Sequence, residues 1–296
     1  MPRLDVYQSL WAMDPGRGSH DAASTEEQFA QLKSAGFAGA AIHLADSDRE
    51  SAYKTMPLFR QYELGCVINA FPASMDDVLP VLQMAREFDA VVVNIIAQVI
   101  PSSVEEASLM VQDWMEEADK ENVNIEFETH RNSVTNDLGY TTRLLEAVPN
   151  MKLGVDLSHY VVDREFDLPL SDEEAELVDK ILRRADAFQG RISSAQQIQL
   201  QLEFPQHQKW VVQFLDWWET GFRYWRKRSG VDDTLIFQTE LAPPEYAMTG
   251  PDGMEMSNRW EEAIIMKGWV EDLWKRLEKE EIESAVSSEK NNPDGT

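Results

Sequence analysis

Eight short apolar runs alternate with helical patterns along this chain, near residues 5–11, 38–43, 66–71, 90–96, 123–129, 151–157, 190–194 and 234–240. Between them lie helix starts of the Ser-x-x-Glu kind: Ser24 with Glu27, Ser103 with Glu106, and Ser171 with Glu174. In such a start the serine oxygen and the glutamate carboxylate satisfy free amides of the first turn. Alternation of this kind leaves two architectures, a closed eightfold barrel or an open doubly wound sheet. Neither GxGxxG nor GxxxxGK[ST] occurs to support a nucleotide-binding open sheet. The expected fold is therefore α/β, a single (β/α)8 TIM barrel over residues 1–278, followed by an acidic, disordered tail over 279–296.

Size and charge agree with that expectation. A chain of 296 residues with 43% apolar content buries a full barrel core. With 27 Lys plus Arg against 53 Asp plus Glu, the net charge of −26 disfavours nucleic acid, whose phosphates need clustered cations. No stretch approaches 18 consecutive apolar residues, so no membrane partner is expected, and MPRLDVYQSLW lacks the apolar core of a signal peptide. A cytoplasmic location is expected. Cys66, the single cysteine, lies in the apolar run CVINAF and is expected to pack as a small hydrophobe.

Four polar signatures fall at the ends of the later runs: Glu128 in IEFETHR, Asp156 and His159 in LGVDLSH, Gln189 and Arg191 in FQGRISSAQQIQ, and Glu240 in LIFQTE. From Glu128 to Asp156 is 28 residues and from Asp156 to Gln189 is 33, roughly one strand-plus-helix unit of a barrel each. Carboxyl ends of barrel strands face a common mouth, so these side chains are expected to converge. Three carboxylates and an amide there repel one another unless something positive sits between them, and a divalent cation is the economical choice. For any single acid of the set, a helix cap or a rim residue is the competing explanation.

Two loops exceed what a barrel needs. One, MDPGRGSHDAAS, carries His20; the other, APPEYAMTGPDGMEMSN, follows Glu240. Each is either a lid or a plain surface loop. Further on, Trp210, Phe214, Trp217, Trp218, Phe222 and Trp225 recur at helical steps, as expected of a helix packed on the barrel or on a second subunit of a homodimer.

The ordered set ETHR, DLSH, GR with spaced glutamines, and TE before Pro-Pro resembles the xylose isomerase-like TIM-barrel superfamily of sugar and sugar-phosphate isomerases and epimerases. The resemblance covers roughly residues 5–277. It implies that Glu128, Asp156 and Glu240 are metal ligands, that Glu128 and Glu240 also transfer protons, and that His159 hydrogen-bonds the substrate. It further implies substrate contacts from Arg191, Gln196 and Gln199. Where the superfamily has a metal-binding His, this chain has Gln189. With Gln189 the ligand set is all oxygen, which favours Mn²⁺ or Mg²⁺ over Zn²⁺. His130, two residues past Glu128 and so on the same strand face, is the alternative ligand or a substrate contact, and His43 is a further candidate at the mouth.

These implied residues point to a carbohydrate substrate. A cation polarises a carbonyl and its neighbouring hydroxyl, one glutamate removes the adjacent C–H proton, and the other returns it. Isomerisation and epimerisation differ only in where that proton returns. Two alternatives remain at this point: a metal-dependent lyase on oxidised (3-keto) glycosides, for whose aglycone the aromatic content after residue 205 is suited, and a degenerate barrel that binds sugars without turnover. The superfamily's trinuclear zinc endonucleases need many histidines, and this chain has five.

Overall fold

The computed structural model describes residues 1–14, 24–44 and 49–291. Its strands are β1 (Arg3–Ser9), β2 (Gly39–Leu44), β3 (Gly65–Ala70), β4 (Val92–Ile95), β5 (Ile125–Glu128), β6 (Leu153–Val155), β7 (Ala185–Gly190) and β8 (Thr234–Thr239). All pair in parallel, in chain order, and β8 returns to β1 to close the barrel. The helices are α1 (Thr25–Ser34), α2 (Arg49–Tyr62), α3 (Met75–Phe88), α4 (Val104–Glu121), α5 (Leu138–Ala147), α6 (Leu157–Asp163), α7 (Asp172–Leu182), α8 (Gln208–Arg228) and α9 (Arg259–Asn291). The protein is a (β/α)8 TIM barrel.

The anticipated helix starts form. Ser24 and Ser171 each accept from the backbone three residues on, and Glu27 and Glu174 close the reciprocal bonds. Ser103 likewise accepts from the Glu106 amide.

Strand periodicity sorts side chains between two cores. Val6, Ile42, Ile68, Val93, Phe127, Phe188 and Phe237 point outward into the large core beneath the helices. Residues one step away along the strands point inward, where Tyr7, Ala41, Val67 and Val92 form a small separate plug at the barrel floor. The Tyr7 ring occupies the space in which side chains at Gly39 and Gly65 would stand. Above this plug the inward positions turn polar: Asn69, Asn94, Glu126, Glu128, Gln189 and Gln238, all buried.

The aromatic stripe on α8 seals the outside of the barrel wall. Phe222 meets Phe188 at 5.3 Å between centroids, and Trp218 meets Phe237 at 5.0 Å. Trp225 packs on Trp274 of α9. The stripe is buried within the chain itself, packed on the barrel wall, and lies on the far side of that wall from the barrel interior, so it lines no aglycone site. Cys66 is free and buried in the same outer core.

Two boundaries differ from the sequence expectation. β7 runs over Ala185–Gly190 rather than 190–194. Polar residues mask its start, but their side chains leave at the barrel floor: Arg184 donates to the carbonyls of Leu145, Pro149 and Met151, and Arg228 reaches Asp186. At the other end, α9 continues through the segment expected as a tail, and Arg223 and Arg226 of α8 pair with Glu280 and Glu281. Residues 292–296 and His20 lie outside the described residues. No described helix is long and apolar enough to cross a membrane.

Candidate active site

The carboxyl ends of β5 to β8 bring Glu128, Asp156, Arg191 and Glu240 together. Glu128 ends β5 facing inward, and Asn94 of β4 donates to its Oε2 through Nδ2. Room for Asn94, and for Glu126 one layer below, comes from Gly154 on β6, where a Cβ would stand within 3 Å of both Asn94 Oδ1 and Glu126 Oε1. Thr129, one residue after Glu128, fixes the next strand: its hydroxyl accepts from the Asp156 amide at 2.8 Å and donates to the Asp156 carbonyl at 2.9 Å.

Asp156 is fully engaged. One oxygen caps α6 by accepting from the Ser158 amide at 2.8 Å, and the other takes Nη1 of Arg191 at 2.8 Å. Arg191 follows β7 and is 2% exposed. Its Nε donates to the Glu240 carbonyl, and its Nη2 is 3.4 Å from Glu240 Oε1. The guanidinium therefore bridges two of the acids and supplies part of the positive charge that the sequence led us to seek in a cation.

Glu240, just past β8, is also held from the other side. His43 Nε2 on β2 is 3.0 Å from Oε1, and Gln238 Nε2 is 3.4 Å from Oε2. His43 Nδ1 is 3.5 Å from the Ser9 hydroxyl.

These surroundings push the two glutamates apart. Burial, reinforced by Glu240 and Asp156, raises Glu128 well above the ordinary carboxylate range. Burial also acts on Glu240, but Arg191 and then His43 overcome it and hold this acid down at about 2. Asp156 rises to about 6 by burial despite Arg191. His130 falls to about 4 and His159 falls well below its usual value, both chiefly by burial, so both imidazoles are neutral donors or acceptors at pH 7.

Whether a cation suits these residues is tested by their donors. Ligand atoms of Glu128, His130 and His159 lie within 4.8 Å of one another, close enough to share one ion. The His130 and His159 rings are 3.9 Å apart. His159 Nδ1 and Gln189 Oε1 are buried without a hydrogen-bond partner, as atoms awaiting a ligand would be. The donor chemistry fits a divalent cation. Glu128 belongs both to this histidine set and to the all-oxygen set of Glu128, Asp156, Gln189 and Glu240, in which Arg191 already stands between Asp156 and Glu240.

A cavity of about 380 Å³ opens over these groups, lined by His43, Glu128, His130, Arg191 and Glu240 on its polar side. Its apolar side is Trp11, Phe71, Ile96 and Tyr246, with Gln98 at the rim. Tyr246, from the loop after Glu240, stands edge-on to Trp11 at 5.4 Å between centroids and beneath the Arg131 and Arg191 guanidiniums. This places part of the Pro-rich loop over the mouth.

Solved structures with the same chain path include an L-ribulose 3-epimerase, with TM-score 0.60 and 13% identity over 96% of this chain and 98% of the other. A probable 3-DHS dehydratase from Bacillus anthracis matches with TM-score 0.53 and 16% identity, over 80% of this chain and 93% of its own. A xylose isomerase-like TIM-barrel protein from Mycobacterium smegmatis, in complex with magnesium, matches with TM-score 0.54 and 13% identity over 92% and 96%. The fold is that of the xylose isomerase-like TIM barrels. No family model and no curated protein matches the chain at the level of sequence.

The remaining residues singled out from the sequence part company here. Gln199 is buried with both amide atoms spent on the backbone of Ala242, donating at 3.0 Å and accepting at 2.7 Å, so it anchors the loop after Glu240. Gln196 is exposed, 3.4 Å from Glu165, because the tight turn joining Ser194 and Gln197 swings it outward. It does not line the cavity. Asn69, Asn94, Trp11, Phe71, Gln98 and Tyr246 were not anticipated. For the two asparagines a signal existed, an amide in the middle of the apolar runs CVINA and VVNII, where buried polar groups need a reason.

Proposed function

We propose that this protein is a divalent-metal-dependent sugar isomerase or epimerase, with Glu128 and Glu240 as its acid/base pair. One observation carries the reading: the two carboxylates line the same cavity from strand ends three steps apart around the eight-strand ring, on facing parts of its wall. A carbohydrate carbonyl placed between them has a carboxyl group on either face.

A bound cation supplies polarisation of that carbonyl and its neighbouring hydroxyl, acidifying the C–H bond between. Glu128 with His130 and His159, or Glu128 with Asp156, Gln189 and Glu240, would hold it. Mn²⁺ or Mg²⁺ suits the carboxylates and the amide, and the two imidazoles tip the choice toward Mn²⁺. Glu240, kept ionised by Arg191 and His43, accepts the proton. Glu128 faces the same carbon from the other side, where burial raises its hold on a proton and a bound cation would oppose that rise, the balance needed by a group that both holds the ion and returns a proton. Neutral His159 and His130 orient hydroxyls, while Trp11, Phe71 and Tyr246 exclude water from the reacting carbon.

A β-elimination on a keto-sugar uses the same proton abstraction, and the dehydratase among the structural neighbours supports keeping it as the second reading. Exchange of substrate C–H hydrogen with deuterated water, run with Mn²⁺ over a panel of ketoses and 3-keto-glycosides, detects the shared step. Product analysis then separates the two. A wild-type protein that catalyses no exchange across the panel would leave a sugar-binding barrel without turnover.

A further inference from the structure

A second cavity, of about 350 Å³, adjoins the first. Phe71 and Gln98 line both. Beyond that shared wall the second cavity is bounded by Leu44 at the end of β2, Pro72 after β3, Val81 and Asp77 of α3, and Arg49 at the start of α2. The Gln98 amide donates to the Pro72 carbonyl at 2.9 Å, so the strip carrying Phe71 and Gln98 is backbone-braced.

Its chemistry is selective. Arg49 is half-buried, makes no hydrogen bond or ion pair among the described residues, and acts through space on Asp77, whose carboxyl it helps to lower. Its guanidinium donors are therefore left to water or to a ligand in this cavity. Asp77 uses one carboxylate oxygen to accept from Ala73 and Ser74, which leaves its Oδ1 to accept a hydroxyl. Gln98 offers an amide, and Phe71, Leu44, Pro72 and Val81 offer apolar surface. Planar donors, an acceptor carboxylate and an aromatic ring beside aliphatic walls match a sugar ring, which has hydroxyls around its edge and C–H groups on its faces. A phosphate fits worse, since Asp77 would face it.

We infer that the second cavity is a subsite for a neutral glycosyl unit, and that the substrate is a glycoside or disaccharide whose reacting sugar sits at Glu128 and Glu240. This rests on the reading of the first cavity as a sugar site. Phe71 then stands at the junction, its ring 6.0 Å from that of His43 on one side and the second unit on the other.

Binding tests it without turnover. Isothermal titration with Mn²⁺ present compares a free ketose, a hexose phosphate, and neutral disaccharides that contain a ketose unit. We expect a disaccharide to bind about tenfold or more tightly than the ketose, the ratio that one charged hydrogen-bonding group supplies. Arg49→Ala should bring that ratio most of the way to one, and Arg49→Lys should restore only part of it, because an ammonium lacks the planar fork. Equal affinity for ketose and disaccharide, preference for the phosphate, no binding of any disaccharide, or a ratio unchanged in Arg49→Ala would each overturn the subsite. A preference without hydrogen exchange would keep the subsite and count against the isomerase reading instead.

Discussion

Nη1 of Arg191 lies 2.8 Å from Oδ2 of Asp156, and both side chains are almost wholly out of contact with solvent. A buried pair of this kind is costly to break from one side, because the charge left behind has neither water nor partner. Arg191→Met should therefore lower unfolding free energy by about 3 kcal/mol or more, while Asp156→Asn combined with it should recover part of the loss. Urea denaturation of the two single variants and the double one reads the coupling. Additive losses would show that the pair is not a unit.

Glu128→Gln and Glu240→Gln probe the acid/base assignment. Either amide still offers a carbonyl oxygen, and neither can carry a proton to or from carbon, so the loss should fall on kcat far more than on KM. His159→Ala should do the reverse, raising KM through one lost hydrogen bond worth on the order of 1 kcal/mol. Steady-state kinetics on whichever substrate shows hydrogen exchange gives the split. Comparable kcat in Glu240→Gln and wild type would remove Glu240 from the reaction.

Much of this arrangement was legible in the sequence, because short apolar runs and Ser-x-x-Glu starts are local signals that the barrel does not override. The placement of Glu128, Asp156 and Glu240 at one mouth followed from that count of units. The cavity's aromatic wall did not, since Trp11, Phe71 and Tyr246 stand outside the strands, where no periodicity governs which side chain turns inward. Nor did the role of Arg191 between the acids: spacing places a residue on a strand end, but the reach of a long side chain is decided by its neighbours. Gln196 and Gln199 show the same limit, being three residues apart and facing solvent and backbone respectively.

Glu126, one layer below Glu128, makes stability depend on pH. Burial, with Asp186 adding to it and Lys152 opposing, raises its carboxyl to about 8. In the unfolded chain a glutamate titrates at about 4.3. Between these two values the folded chain holds a proton that the unfolded chain has released, so this group's stabilising contribution is full below about pH 4 and is lost as pH rises toward 8. Glu126→Gln, which mimics the protonated acid, should flatten that dependence and gain on wild type by about 1.4 kcal/mol per pH unit within the window. Denaturation at pH 5 and at pH 7, both inside the window and about two units apart, measures the gap. A gap that does not widen would mean Glu126 is ionised in the folded barrel.

The barrel floor gives the last prediction. A methyl group at Gly39 would overlap carbons of the Tyr7 ring and the Gly65 carbonyl, whereas one at Gly65 would overlap the Tyr7 hydroxyl first, with ring carbons just beyond 3 Å. Both positions pair across β2 and β3, so the backbone cannot move aside for either without breaking the ladder. Gly39→Ala and Gly65→Ala should each cost about 1–3 kcal/mol or more as overpacked sites. Tyr7→Phe removes the oxygen that obstructs Gly65 but leaves the ring that obstructs Gly39. The second substitution should therefore rescue Gly65→Ala in large part and Gly39→Ala hardly at all. Thermal unfolding of the two double variants against their parents decides it, and equal rescue at both glycines would show that the floor is set by something other than the Tyr7 ring.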